Sequence, residues 1–494
     1  MVKGSTQAAT HTRVIIVGTG FAGLGMAIQM KKEGQTDFVV LEKAGDVGGT
    51  WRDNNYPGCA CDVQSHLYSF SFEPNPNWTR MFAPQPEIWN YLREVTDKHG
   101  LRPFIRFNSG LQKAAWDDSA HLWRVTTSDG AELTANVLIS GMGGLSRAAY
   151  PNIKGVESFK GKSFHSQDWA HDYDLKGKRV AVIGTGASAI QFVPKIQKQA
   201  GHIDLYQRTP PWIMPKPDRE ISDSERKMFK RFPATQLAFR SAIYWMLESR
   251  VAGFVINPRL MKFVERVARS HIRKQIKDPE LRAKVTPDYT IGCKRVLISD
   301  DYYPALAQSN VDVITTGIQE VKAHSVVTTD GVEREVDTII FGTGFHAADP
   351  LPKGMVYGEN GIDIMDAWKN GAEAYKGTTV SGFPNLFLIV GPNVGLGHSS
   401  MVYMIESQIA YVLDALKTMK QQNIKSLDVK PEPQAAYNRE LQAQLGGAIW
   451  AVGGCKSWYI DPKSGKNVTL WPGFTWAFRR KLKKFDADAY VRRA

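Results

Sequence analysis

Two glycine-rich turns carry most of the chemistry legible in this sequence. Gly18-Thr-Gly20-Phe-Ala-Gly23 closes a β-branched run that begins at Arg13, and Gly184-Thr-Gly186-Ala-Ser-Ala189 closes another that begins at Arg179. Such glycines permit a tight turn and let the backbone approach a pyrophosphate, whose charge sits on the N-terminus of the helix that follows. The two turns differ 24 residues after their first glycine, where Gly18 leads to Glu42 and Gly184 leads to Arg208. A carboxylate there accepts hydrogen bonds from ribose hydroxyls and repels a 2′-phosphate; a guanidinium grips that phosphate with two donors. The first turn is therefore expected to hold FAD through Gly18, Gly20, Gly23 and Glu42. The second is expected to hold NADPH through Gly184, Gly186, Ser188, Arg208 and Thr209.

Each turn needs a strand before it and a helix and second strand after it. The pattern predicts helices over Phe21–Lys32 and from the second turn to about Gln199, then strands at Phe38–Leu41 and Ile203–Tyr206. Further strands are expected at Trp123–Thr127, Val137–Ser140, Val311–Thr315, Val326–Thr328, Thr338–Phe341 and Asn385–Gly391, the last leading into a long helix through Ala415. Residues 221–284 read as helical, amphipathic and basic. The fold class is α/β, with two Rossmann-like dinucleotide-binding domains. The FAD-binding domain is expected from 1–145 and 382–494, the NADP-binding domain from 146–220 and 296–381, and a helical insert from 221–295.

At 494 residues the chain exceeds what one hydrophobic core usually supports. No run approaches the roughly 18 apolar residues of a membrane span, and the polar start Met1–Arg13 reads as a disordered lead-in. The net charge of +13 favours anionic partners. Phosphate-bearing cofactors account for several of those cations, and no nucleic-acid recognition motif accompanies them. The basic helices could lie on a membrane surface, but Arg240, Arg250, Arg266 and Arg269 fall at spacings that suit a solvated face, so a structural insert is expected. Of four cysteines, Cys59 and Cys61 are two apart and Cys293 and Cys455 stand alone. This spacing excludes a zinc site and a dithiol redox centre, and predicts reduced thiols and a cytoplasmic protein.

Phe159-x-Gly161-x-x-x-His165-x-x-x-Trp169, just before the second turn, resembles the fingerprint of type I Baeyer–Villiger monooxygenases. Gly48-Gly49-Thr50-Trp51, continuing through Tyr56-Pro57-Gly58 to Asp62, resembles that family's longer signature. Ala170 departs from the family, which has proline or aspartate there. The resemblance implies that Gly49, Thr50, Trp51, Asp62, Tyr68 and Met401 contact the flavin. It further implies that Lys294 joins Arg208 on the 2′-phosphate and that Arg295, positioned by Asp62, is the catalytic cation facing the flavin. His165 is expected to hold the crossover between domains rather than move protons.

The activity implied is FAD-dependent and consumes NADPH. A C4a-peroxyflavin would insert one oxygen of O2 into a ketone, giving an ester or lactone, with sulfides as further substrates. Arginine suits the task because it stays protonated while the peroxide does not. No metal is required. Two alternatives remain open at this level: a flavin monooxygenase that oxygenates only sulfur or nitrogen, and a non-catalytic nucleotide sensor.

Overall fold

The computed structural model describes residues 10–347 and 351–494. Strand β1 (Thr10–Val17) begins inside the stretch expected to be a disordered lead-in; Met1–Ala9 lie outside the described residues. Helix α1 (Phe21–Lys32) and strand β2 (Phe38–Leu41) follow. A short helix α2 (Thr50–Asp53) and a longer one, α3 (Gln85–Lys98), lead to β3 (Ile105–Arg106), β4 (Leu111–Asp117), β5 (Leu122–Thr127) and β6 (Glu132–Ser140). β1 lies between β2 and β6, parallel to both, with Val14 opposite Phe38 and Val137. Val14, Ile15 and Ile16 are fully buried. Parallel strands covered on both faces demand such unbroken β-branched runs.

The second unit repeats the plan. β7 (Lys162–His165) precedes β8 (Arg179–Ile183), α4 (Ala189–Ile196) and β9 (His202–Tyr206). Helix α4 stops at Ile196, short of the expected Gln199, with Pro194 inside its last turn. The insert follows as α5 (Asp223–Arg231), α6 (Pro233–Glu248), α7 (Met261–Gln275) and α8 (Pro279–Val285), bracketed by the paired strands β10 (Ile213–Met214) and β11 (Leu297–Ile298). The chain then adds β12 (Val311–Ile314), a three-stranded antiparallel layer of β13 (Ile318–Val321), β14 (Ser325–Thr328) and β15 (Glu333–Glu335), and β16 (Thr338–Phe341). The second sheet has the order β12-β9-β8-β16-β7, all parallel.

Strands β17 (Val356–Tyr357) and β18 (Leu386–Leu388) return to the first sheet, on β4 and β6 respectively. Leu351, Val356, Ile364, Trp368 and Val380 pack into the same apolar cluster as Ile15, Leu138 and Leu386. The chain from 351 onward thus sits on the first sheet, although the sequence pattern assigned it to the second unit up to 381. The expected strand Asn385–Gly391 is regular only at Leu386–Leu388, because Asn385 and Val390 take positive φ. The helix Met401–Gln421 then crosses α1, where Ile409 comes so close that a side chain on Gly25 would strike it at 2.9 Å.

The thiol expectation needs correction. Cys293 and Cys455 form a disulfide across 162 residues of sequence. Only Cys59 and Cys61 are free, and both are buried. No described helix is long and apolar enough to cross a membrane.

Candidate active site

The first turn is closed tightly enough to present bare backbone. A side chain on Gly23 would fall 1.8 Å from the carbonyl oxygen of Gly18, and Gly18 itself has φ +95°. Gly49 faces Gly20, where a Cβ would lie 3.1 Å from the Gly20 Cα. The floor beside the α1 N-terminus is therefore glycine on both sides, which fits a dinucleotide pyrophosphate. Glu42 is buried at the end of β2. Its carboxylate accepts from the Thr19 amide at 3.1 Å and the Ala44 amide at 2.9 Å, and pairs with Arg52 at 2.9 Å.

The second turn has the same shape. A Cβ on Gly184 would meet the Gly342 oxygen at 2.4 Å, while Gly186 has nothing nearer than that atom at 4.0 Å. Ser188 leads into α4, and Thr209 accepts from the Thr185 hydroxyl at 3.3 Å. Arg208 is exposed and, among the described residues, makes no hydrogen bond or ion pair to an acid. Lys294 lies close enough that burial and then the Arg208 charge push its ammonium below the usual lysine range. Among the described residues its ring contact is Tyr289, at 5.0 Å. Asp288 offsets part of this shift, yet the net effect of two cations drawn together from distant parts of the chain suits an anion between them. That arrangement fits a 2′-phosphate.

Between the turns, the long signature clasps the second unit. Tyr56 donates to Gln191 Oε1 on α4 at 2.9 Å, and Gln191 Nε2 donates to the Ala60 carbonyl at 2.9 Å. Gly58, with φ +82°, runs so close to α4 that a Cβ would meet the Gln191 oxygen at 2.6 Å. The loop then delivers Asp62, whose Oδ2 accepts from Arg295 Nε at 3.0 Å and Nη2 at 2.6 Å. The Asp62 charge raises the Arg295 pKa, outweighing burial. Adjacent residues thus serve different units: Lys294 faces Arg208 and Arg295 faces Asp62.

Of the other expected flavin contacts, Thr50 and Trp51 open α2, and Trp51 Nε1 donates to the Tyr68 hydroxyl at 3.2 Å. Burial raises the Tyr68 pKa and holds the phenol neutral. Met401 opens the long helix, whose N-cap Ser400 donates to the Leu67 carbonyl at 3.3 Å. Cys59 is pushed up to about 12 by burial, and Cys61 also rises, so neither thiol is a nucleophile at neutral pH.

The fingerprint lies at the crossover. Phe159 packs on the second sheet, and Gly161 lies where a Cβ would meet the Asp337 oxygen at 2.3 Å. His165 ends β7, fully buried between Tyr150 and Phe345, one from each crossover segment. Its Nδ1 accepts from the Gln167 amide at 3.1 Å, and burial lowers its pKa, which keeps it neutral. Trp169 packs edge-on against Phe164 and tilted against Phe192 of α4. Sequence reasoning missed Tyr459, which is buried, has no hydrogen-bond partner for its hydroxyl among the described residues, and interacts with Arg295. The Gly- and Trp-rich stretch 446–476 marked its neighbourhood, but no spacing rule singles out that tyrosine.

The sequence matches the flavin-binding monooxygenase-like family over residues 11–357. It is 62% identical over 483 residues to a Baeyer–Villiger monooxygenase of Pseudomonas aeruginosa, covering 98% of this chain and 92% of that protein. The chain belongs to the Baeyer–Villiger monooxygenases. A Streptomyces coelicolor Baeyer–Villiger monooxygenase is 50% identical, with 98% and 93% covered. Among solved structures, a cyclohexanone monooxygenase from Rhodococcus bound to NADP+ superposes with a TM-score of 0.87 at 26% identity, covering 99% of this chain and 100% of that one. A steroid monooxygenase bound to NADP gives 0.85 at 28%, covering 98% and 100%. Membership in the Baeyer–Villiger monooxygenases makes this chain an enzyme and sets aside the non-catalytic sensor.

Proposed function

We propose that this Baeyer–Villiger monooxygenase binds FAD at the first turn and NADPH at the second, and converts ketones to esters or lactones. The single observation that carries the residue assignment is the Lys294-Arg295 pair, which sends one cation to each unit. FAD, when bound, supplies activation of O2, and NADPH supplies the electrons. Gly18, Gly20 and Gly23 cradle the flavin pyrophosphate and Glu42 its ribose. Arg208 and Lys294 select the phosphorylated coenzyme.

Addition of an oxygen nucleophile to a carbonyl develops negative charge, and Arg295 meets that charge without having to reorganise. Asp62 aims the guanidinium and restrains it. Tyr459 encloses the same pair from the C-terminal stretch and excludes water. His165 and Trp169 set how the two units meet. In domain terms, 1–145 and 382–494 form the FAD-binding part, joined by the segment from 351, with 146–220 and 296–347 as the NADP-binding part and 221–295 as the insert. The demand for NADPH supports a cytoplasmic location; the disulfide removes the argument from reduced thiols.

The test is direct. Purified protein should show a flavin spectrum and oxidise NADPH in the presence of ketones, with esters identified as products. Including sulfides in the same panel measures heteroatom oxygenation. A protein that oxygenates sulfides and amines but no ketone would overturn the proposal.

A further inference from the structure

The helical insert does two jobs on its two sides. The inner side of α6 covers the loop that carries Asp62 and Tyr68. Gln236 is buried there, and Arg240 turns inward to donate to the carbonyls of His66 at 2.6 Å and Ser69 at 3.1 Å; Ile243, Leu247 and Glu248 are buried further along, where Glu248 accepts from Thr475 at 2.8 Å. The outer side of α6 carries no charge. Leu237, Ala238, Ser241, Ala242, Trp245, Met246 and Ser249 are all exposed, and they recur at helical spacing along one face. Leu237 is 64% and Trp245 60% exposed. The chain continues with Ile256 at 66% and Phe263 at 68%, flanked by exposed Leu260 and Val267. Large apolar side chains this open, gathered within about thirty residues of chain, are not the ordinary scatter of a protein surface.

The charge of the same segment points to what meets it. Residues 221–285 hold fifteen Lys and Arg against six Asp and Glu, so this stretch alone carries nine of the chain's thirteen net positive charges. On α7 the exposed positions Lys262, Phe263, Arg266 and Val267 interleave cations with apolar groups. Long cationic side chains beside apolar ones reach the headgroups of an anionic bilayer while their neighbours enter its apolar boundary. Two copies of a segment this positive would repel each other across a symmetric interface.

We infer that the insert docks on a membrane surface rich in anionic phospholipid. The outer face of α6 and the 256–267 segment enter the interface, and the surrounding lysines and arginines bind the headgroups. This takes the membrane-surface alternative over the purely structural insert expected from the sequence. It does not depend on which substrate the site oxygenates.

Flotation of the FAD-loaded full-length protein with vesicles tests it. Phosphatidylcholine vesicles containing phosphatidylglycerol should bind the protein at least about tenfold better than pure phosphatidylcholine, and added salt should release it. The double variant Leu237→Glu/Trp245→Glu should lower binding about tenfold or more while flavin content and Tm stay put. Lys262→Gln/Arg266→Gln puts no charge on the apolar face. It should weaken binding to the anionic vesicles roughly ten- to thirtyfold, and it decides the matter if the first pair misfolds. Equal binding to both vesicle types, or indifference to the lysine–arginine pair, would overturn the inference. So would a dimer in solution that Leu237→Glu/Trp245→Glu converts to monomer, since the face would then belong to a second copy.

Discussion

The two nucleotide units share a turn, but their strand registers differ by one residue: Val14, four before Gly18, faces Phe38, whereas Val180, four before Gly184, faces Ile203. The residue 24 positions after the first glycine lives in opposite conditions in each. Glu42 is buried and already engaged by two backbone amides and Arg52. Arg208 is exposed and holds no acid. The acid is thus part of the ion network that fixes the first site before any ligand arrives. The cation of the second site is left free for the ligand itself. Under the function proposed above, one position is both structural and cofactor-binding, and the other serves coenzyme selection alone. Substitutions at the two should therefore fail in different ways.

The largest effect is expected at Glu42. Glu42→Arg sets a second guanidinium against Arg52 in a buried site, and disrupting a buried pair costs about 3–5 kcal/mol. The purified variant should be colourless, measured as flavin per polypeptide. Glu42→Gln, which keeps an acceptor and adds no cation, should retain more flavin. A yellow Glu42→Arg enzyme with full flavin content would mean that the first site does not depend on this acid.

Arg295→Ala probes the junction and touches neither turn. Removing a preorganised donor to developing negative charge typically costs ~10²–10³ in rate. Ester formation should fall by that factor, while flavin stays bound and NADPH is still oxidised, its electrons ending in hydrogen peroxide. The ratio of ester to NADPH consumed reads this out. Ester formation at the wild-type rate would sink the role given to Arg295.

The units were legible because their information is local. β1, α1 and β2 follow from buried runs and glycines within thirty or so residues, and Phe21–Lys32 and Phe38–Leu41 fall where the pattern places them. Asp62 and Arg295 lie 233 residues apart, and no periodicity in the sequence joins them; only the resemblance to a family did. Cys293 and Cys455 are the contrary case. They looked solitary because spacing rules see only near neighbours, and the fold brings them together across 162 residues. Tyr459 was hidden for the same reason. The segment from 351 was misassigned because its partners, β4 and the first sheet's core, precede it by more than 200 residues.

Arg208→Ala should leave the enzyme yellow. A lost charge-assisted phosphate contact costs on the order of 1.5–3 kcal/mol, or roughly ten- to a hundredfold in affinity. The KM for NADPH should rise by that factor and the KM for NADH should hardly move, which contrasts the two units most cleanly. An unchanged NADPH KM would remove the phosphate from this site. Loss of flavin from Arg208→Ala alongside a yellow Glu42→Arg would mean the two cofactors are exchanged.

The smallest effect is expected at Lys294, whose single charge lacks the forked geometry of a guanidinium. Lys294→Ala should raise the NADPH KM severalfold, in line with roughly 0.5–1.5 kcal/mol for one contact. Its pH dependence is the more telling measurement. Burial and the Arg208 charge hold the Lys294 ammonium below the usual lysine range. A lowered pKa means that the proton is lost at lower pH than from an exposed lysine. The attraction to a phosphate dianion therefore fades, as pH rises, earlier than it would from an exposed lysine. In the wild type the NADPH KM should climb on the alkaline side earlier than the NADH KM. Lys294→Ala should flatten that climb. Arg208→Ala, by removing the neighbouring cation, should let Lys294 keep its proton to higher pH and shift the climb upward. If the alkaline rise is identical in all three proteins, Lys294 does not share the phosphate with Arg208, and the second unit selects its coenzyme with one cation alone.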